Sequence, residues 1–419
     1  MVPRGLTQSE TPFCDVCICT WFQNESPTIN CISRNVPNIY DPKYWHDRMD
    51  NPYSMKAIIV NYNKLESLNT TFPFSNLKQL DLSRNDIKKI ENGVFGRLQE
   101  MNTLILSRNK LEYINPHTFK GGYEKSSYFP LRSLKRLDLE YNELHTLDAD
   151  TFEHIDELEE LNLSHNPLRV IDAQTVQALT SLVYLKTLNL AYTQLQNLPE
   201  FFLHTPKYLR SLDLSGNLFE SVPNALEYSR INALFFNKNP LRVLRERESF
   251  PDNLTSLHMN HMPALVKIGS KTFTQCPKLY DVHLSDNRKL SMIETDAFVN
   301  LPLVNVILND NNLTSLDEGL VSNWSRLERL ELSGNPWNCN CSLRWMLNVR
   351  EDITFLGKLR CASPPEMKTF TFYDLAQNQS GIQQCPKIKE GVIIMFFIVF
   401  YIRRKRVSGP KFHVIVELR

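Results

Sequence analysis

Residues 77–87 read "LKQLDLSRNDI". From Leu80 to Leu82 the run alternates apolar, polar, apolar, the period-two mark of a short strand with one face inward. Leu77, Leu80, Leu82 and Ile87 therefore point to an interior, Asp81 points out, and Asn85 turns the chain. The spacing L-x-x-L-x-L-x-x-N-x-L returns at Met101 ("MNTLILSRNKL"), Leu134, Leu158, Leu209 and Leu303. Weaker copies start at Met55, Leu185, Ile231, Leu254, Leu279 and Leu327. Most of these twelve starts lie 22 to 25 residues apart, with 27 between Leu158 and Leu185 and 33 between Met101 and Leu134.

One such unit cannot bury its own apolar face, so neighbours must stack into a continuous core. An apolar pair such as Ile90 and Phe95 closes the outer side, and the phenylalanine recurs as Phe119, Phe152, Phe273 and Phe298. The pattern resembles the leucine-rich repeat. That resemblance implies an α/β leucine-rich repeat solenoid: a curved horseshoe of about 12 repeats, with a parallel β-sheet on the concave face and disulfide-bonded caps. In the family, the turn asparagine bonds the backbone of neighbouring coils. Thr193 and Met262 replace it in the sixth and ninth repeats. Extra residues before Leu265 and Leu290 predict small bulges, and the surplus stretch 120–130 ("KGGYEKSSYFP") predicts a projecting loop.

A solenoid has two raw ends that need covering. Cys14, Cys17, Cys19 and Cys31 precede the array; Cys339, Cys341, Cys361 and Cys385 follow it. Each quartet allows three pairings, and Cys14-x-x-Cys17 also has zinc-ligand spacing, but both clusters sit where caps are required. Residues 335–346 ("NPWNCNCSLRWM") resemble the opening of the C-terminal cap of extracellular leucine-rich repeat proteins. That resemblance implies Cys14–Cys19, Cys17–Cys31, Cys339–Cys361 and Cys341–Cys385. Cys276 is left over and reads as a buried free thiol.

The segmentation that follows is an N-terminal stretch 1–13, an N-terminal cap 14–54, the repeats 55–336 and a C-terminal cap 337–386. A short transmembrane segment at 391–402 and a basic cytoplasmic tail at 403–419 complete it. Disulfides imply an oxidising compartment. N-x-S/T triplets begin at Asn24, Asn69, Asn162, Asn253, Asn312, Asn323 and Asn378, all read as glycosylation sites, and at Asn340 between two cap cysteines. The start "MVPRGLTQSETPFC" has no apolar signal core. Residues 392–402 ("VIIMFFIVFYI") run straight into "RRKR" at 403–406, the layout of a stop-transfer helix. The run is short, roughly 17 Å of helix against a ~30 Å hydrocarbon core. The expected location is the plasma membrane, single-pass with the N-terminus outside; the alternative is secretion.

Of 419 residues, 47 are Lys or Arg and 46 are Asp or Glu, a net charge of +1 that gives no electrostatic reason to expect nucleic acid. Hydrophobic residues at 42% and aromatics at 10% exclude wholesale disorder. The sequence holds no G-x-S-x-G, Walker A, H-E-x-x-H or G-x-G-x-x-G pattern, so no enzyme is expected, and no cofactor.

Function therefore belongs to the outward positions of the concave strands. The central column runs Ile59, Asp81, Ile105, Asp138, Asn162, Asn189, Asp213, Phe235, His258, His283, Ile307 and Glu331, with Tyr62, Tyr141, Tyr192 and Tyr280 beside it. Exposed aromatics on a rigid sheet favour protein contacts. Tyr141, Tyr192, Phe235, His258, Tyr280 and His283 are the candidate partner-binding residues. A glycan on Asn162 would displace a ligand toward repeats seven to eleven, or to an edge. His258 and His283, with Asp281, Asp286 and His261 close by, suggest a metal site or a pH-sensitive patch; the reading preferred is ordinary solvated residues, because nothing in the sequence buries or orients these rings. No metal ligand is assigned.

The chain resembles Toll-receptor ectodomains and insect leucine-rich adhesion proteins such as tartan, capricious, connectin and chaoptin. It departs from Toll receptors in its tail, where thirteen residues after the basic cluster cannot hold a TIR domain. The resemblance implies cell-surface protein recognition, as adhesion protein, co-receptor or decoy, with another protein as partner, a second copy of the chain included. The alternative is a secreted matrix or enzyme-inhibitor protein.

Overall fold

The computed structural model describes residues 11–21, 25–36, 38–121, 123–124, 127–349 and 353–377. The third to fifth residues of every one of the twelve repeats form a three-residue strand, from Ala57–Ile59 to Arg329–Glu331. These strands join Ile18–Thr20 and Thr28–Asn30 of the N-terminal cap in one 14-stranded sheet. The two cap strands pair antiparallel, and every later pairing is parallel and in register. Sheet formation follows from the pattern: the middle residue of each strand is buried and the flanking residues face the inner curve, as at Gln79–Asp81 and Asp281–His283.

Leu77, Leu80, Leu82 and Ile87 are all fully buried, and one contiguous apolar cluster extends from Phe13 to Leu375. The outer wall carries a phenylalanine spine. Phe72, Phe95 and Phe119 stack at 5.9 and 6.3 Å, and Phe250, Phe273 and Phe298 repeat the arrangement at 5.5 Å. Between these runs the fifth coil closes with the helix Ala173–Ser181, capped by Asp172, instead of irregular turns. The extra residues before Leu290 form turns around Asn287, with Leu290 still buried. In the surplus stretch 120–130, Tyr123–Glu124 pairs antiparallel with Ser127–Tyr128, a small hairpin.

Asparagine stitches the coils together. Asn85 donates through Nδ2 to Val60 O of the coil before and to Leu82 O of its own, while its Oδ1 accepts from Asn63 N–H. Asn109, Asn142, Asn166, Asn217, Asn239, Asn287, Asn311 and Asn335 repeat the reach back to the preceding coil. Thr193 Oγ1 satisfies Leu190 O of its own coil and bonds Asn217 Oδ1, but does not reach back. Met262 has no polar side chain to offer. There an outer bridge appears: Asn237 Oδ1 accepts from Asn260 N–H, and Asn260 Oδ1 from Ser285 N–H and Oγ.

Both ends are covered as expected. Disulfides join Cys14 to Cys19, Cys17 to Cys31 and Cys339 to Cys361, which excludes a zinc-binding N-terminal quartet. Cys341 is disulfide-bonded too, while Cys385 lies outside the described residues. Phe13 stacks on Tyr44 and meets Trp45 edge-on, and Trp45 passes the contact to Phe72 in the first coil. Trp337 is fully buried at the other end and donates to Leu332 O. Cys276 is buried and unpaired, and burial pushes its thiol up to about 12, so it is inert as a nucleophile.

The bridging asparagines carry a testable load. Asn239→Ala strands Leu214 O and Phe236 O inside the core. We expect it to destabilise the fold by about 2–6 kcal/mol, because each of the two orphaned buried polar groups costs about 1–3 kcal/mol. An unchanged denaturation midpoint would show that the bridge is dispensable.

Candidate functional site

The central column read from the sequence is real. Each member from Ile59 to Glu331 is paired in register with the next, His258 with His283 among them. Parallel strands place like positions about 4.8 Å apart, close to the stacking distance of planar rings. Phe235 stacks on His258 at 4.5 Å and His258 on His283 at 4.2 Å, with interplanar angles of 18° and 22°. All three residues are half-buried, so the sequence expectation of freely solvated imidazoles is corrected: packing from neighbouring coils both buries and orients the rings.

Asp281, two residues before His283, completes a knot. Its Oδ1 accepts from His283 Nε2 at 3.0 Å, and its Oδ2 accepts from Ser256 Oγ at 2.6 Å. Ser256 Oγ also lies 3.0 Å from His258 Nε2. Burial acts to raise the pKa of Asp281, but hydrogen bonds from Ser256 and Asn305 and the charge and hydrogen bond of His283 outweigh it and leave it lowered. Burial first, then the charge of His283, hold His258 down at about 4, so this imidazole is neutral at physiological pH. Although Ser, His and Asp meet here, they do not form a hydrolytic triad: the hydroxyl sits between imidazole and carboxylate and donates to the carboxylate, whereas a nucleophile needs the imidazole in the middle.

A second column lies along the loop edge, at the residue preceding the turn asparagine. It runs Tyr62, Arg84, Arg108, Tyr141, His165, Tyr192, Gly216, Lys238, His261, Asp286, Asp310, Gly334, and all twelve have φ between +52° and +72°. Arg108 lies 3.9 Å over Tyr141, Tyr141 stacks on His165 at 3.8 Å, and His165 on Tyr192 at 4.3 Å. Lys238 reaches across Gly216 to donate to Tyr192 Oη at 2.8 Å. The constant offset from the asparagine is the signal in the sequence for Arg108, His165 and Lys238, which exposed aromatic character alone does not mark. Of the six candidate residues, then, Phe235, His258 and His283 share one stack, and Tyr141 and Tyr192 another. Tyr280 belongs to neither; it immediately precedes the strand Asp281–His283, at the end away from the loop-edge column, and is 43% exposed.

Comparison with known proteins agrees with this architecture. The leucine-rich repeat model matches residues 75–121 and 132–186 and a second such model residues 208–228, and the BspA-type leucine-rich repeat region matches 246–342. The chain is a leucine-rich repeat protein. It is 26% identical over 367 residues to mouse CD180 antigen, covering 80% of this chain and 54% of the relative, and 29% identical over 223 residues to mouse nephrocan, covering 50% and 41%. It thus spans about half the length of these relatives or less. Among solved structures, the Drosophila Toll–Spatzle complex matches with a TM-score of 0.55 at 20% identity over 80% of this chain and 50% of that one. The mouse RP105/MD-1 complex matches at 0.53 and 20% over 84% and 56%. At these identities the structures establish the leucine-rich repeat fold. The relatives are leucine-rich repeat proteins of extracellular recognition, receptor or secreted.

Within this leucine-rich repeat array, Asn69, Asn312 and Asn323 expose their sequon side chains, Asn162 and Asn253 are half-buried, and Asn24 and Asn378 lie outside the described residues.

Two substitutions probe the columns. A Cβ on Gly216 would sit 2.4 Å from the Tyr192 ring. Other coils tolerate side chains at the same φ, so the ring is the obstacle. Gly216→Ala should cost about 1–2 kcal/mol and displace Tyr192, visible as a lowered melting midpoint and altered tyrosine fluorescence; neither change would refute the packing argument. Asp213 has its pKa raised by burial, against opposing hydrogen bonds from Ser215. A carboxyl raised in the folded state stabilises below its unfolded pKa and loses that contribution as pH rises through the folded value. Asn162 and Asn189 already make the same turn bond as Asp213. Asp213→Asn should therefore gain stability relative to the parent chain as pH rises above about 4, and a pH-independent difference would contradict the burial.

Proposed function

We propose that this chain is an extracellular recognition protein that seats a protein partner on the concave face of its solenoid, without chemistry of its own. The observation that carries the reading is the pair of ring columns on one rigid wall: Tyr141, His165 and Tyr192 in repeats four to six, and Phe235, His258 and His283 in repeats eight to ten. Rings already locked by stacking lose little conformational freedom on docking, which favours binding. The solved neighbours that share the fold were captured with Spatzle and MD-1 bound, which supports a protein as partner. A glycan on Asn162 would cover the wall at repeat five and steer the partner to repeats seven to eleven, toward Phe235 and Tyr280. A second copy of the chain is among the partners this surface admits.

The reading places the protein at the plasma membrane, held by the apolar segment 391–402, which lies outside the described residues. No helix among the described residues is long and apolar enough to cross a membrane. Fractionation of expressed chain between membrane and medium separates the anchored receptor or adhesion protein from the secreted matrix or inhibitor protein. Quantitative recovery in the medium would end the anchored reading.

A cell-surface interaction screen supplies the partner. Phe235→Ala and Tyr280→Ala should then weaken binding by roughly tenfold or more, the scale of an interface hot spot, with folding and expression unchanged. Retained affinity in both variants would move the docking surface off this wall.

A further inference from the structure

We propose that His258, Asp281 and His283 form a binding site for a divalent transition-metal ion of the zinc type. Among the described residues this is the group whose histidine nitrogens and carboxylate oxygen converge, one donor atom from each lying within 4.8 Å of the others. The donors come from two adjacent strands, Ser256–His258 and Asp281–His283, whose register pairs Ser256 with Asp281 and His258 with His283. Strand pairing therefore fixes the backbone of the whole set. The outer bridge through Asn237, Asn260 and Ser285 holds these two coils together beside it.

Zinc bonds of 2.0–2.2 Å in a tetrahedral shell bring ligand atoms roughly 3.3–3.5 Å apart. The set must contract by at most roughly 1.5 Å, with the two rings tilting toward the ion. The rings stack with 22° between their planes, so the ion sits at the shared edge of the stack, where the carboxylate already lies. Ser256 and Asn305 hydrogen-bond the Asp281 carboxylate and fix its orientation, the outer-shell support a ligating carboxylate needs.

Charge points the same way. Asp281 keeps only 16% of its side-chain surface exposed, and among the described residues no lysine or arginine nitrogen lies within 4.0 Å of it; the nitrogens within that distance belong to the two imidazoles. A half-buried carboxylate with two imidazole nitrogens is a donor set for zinc, nickel, cobalt or copper; calcium and magnesium demand oxygen ligands. Three protein ligands leave a tetrahedral ion one position, open toward the inner curve. Ion binding requires no protein partner, so the site stands or falls independently of the docking surface.

The test uses the full chain and the metal alone. Calorimetric titration with Zn2+ should give one saturable site, Co2+ should develop the visible bands of a low-coordinate ion, and saturating Zn2+ should raise the melting midpoint. His258→Gln and His283→Gln, which keep polar bulk in the stack, should each weaken binding tenfold or more and remove the thermal shift. His261→Gln should leave both unchanged, because His261 pairs with Asp286 on the loop edge. Ca2+ and Mg2+ should produce no shift. Absence of saturable Zn2+ uptake by the parent chain overturns the proposal, and so does uptake undiminished in the His258 and His283 variants.

Discussion

The constraint on which everything else rests is register. Each coil contributes three strand residues, and every strand pairs with its neighbour at the same repeat position. Leucine burial supplies the driving force, but leucines alone would permit a coil to slip. The asparagine bridge removes that freedom, because its amide fits the carbonyl of the preceding coil at a single offset. Once register is fixed, a residue's neighbours across coils are its counterparts at the same position, and chemistry arranges itself in columns. Stacked phenylalanines on the outer wall and stacked imidazoles on the inner one are two results of the same rule.

This explains what could be read from sequence and what could not. Repeat starts placed the strands to within one residue, Gln79–Asp81 where the alternation marked Leu80–Leu82, because the strand recurs at one place in every coil. The membership of the central column and the disulfide pairs described followed, the first from spacing and the second from family resemblance. Side-chain orientation did not follow. Nothing in the string around His258 says that Phe235, 23 positions earlier, lies flat against its ring, or that Ser256 gives its proton to Asp281. Those contacts depend on rotamers chosen by three coils together. Tyr280 shows the same limit: the string places it beside the column, and it flanks the wall just before Asp281–His283 without joining either stack.

The two coils that lack the turn asparagine show how the array absorbs a missing bridge. Thr193 keeps the bond within its own coil and shares the acceptor of Asn217, so the loss stays local. Met262 keeps none, and the bonding migrates outward to Asn237, Asn260 and Ser285. That outer bridge runs beside the strands carrying His258 and His283. The coil weakest in its inner stitching is thus reinforced next to the most chemically loaded part of the inner wall.

The loop-edge column adds an energetic argument about where recognition can evolve in this molecule. Ten of its twelve members are not glycine, yet all hold a left-handed backbone that costs an ordinary residue roughly 1 kcal/mol. The cost recurs in every coil and is met by the core, so it constrains backbone and leaves identity free. Tyrosine, arginine, histidine, lysine and aspartate all occur there, with Arg84 and Arg108 near the N-terminal end, Lys238 past the middle and Asp286 and Asp310 toward the C-terminal end. Core positions cannot vary this way, since each is fully enclosed by its neighbours in the stack. Variation in charge and ring content is therefore carried by the outward strand positions and by the loop-edge column, on a surface whose shape is fixed by register.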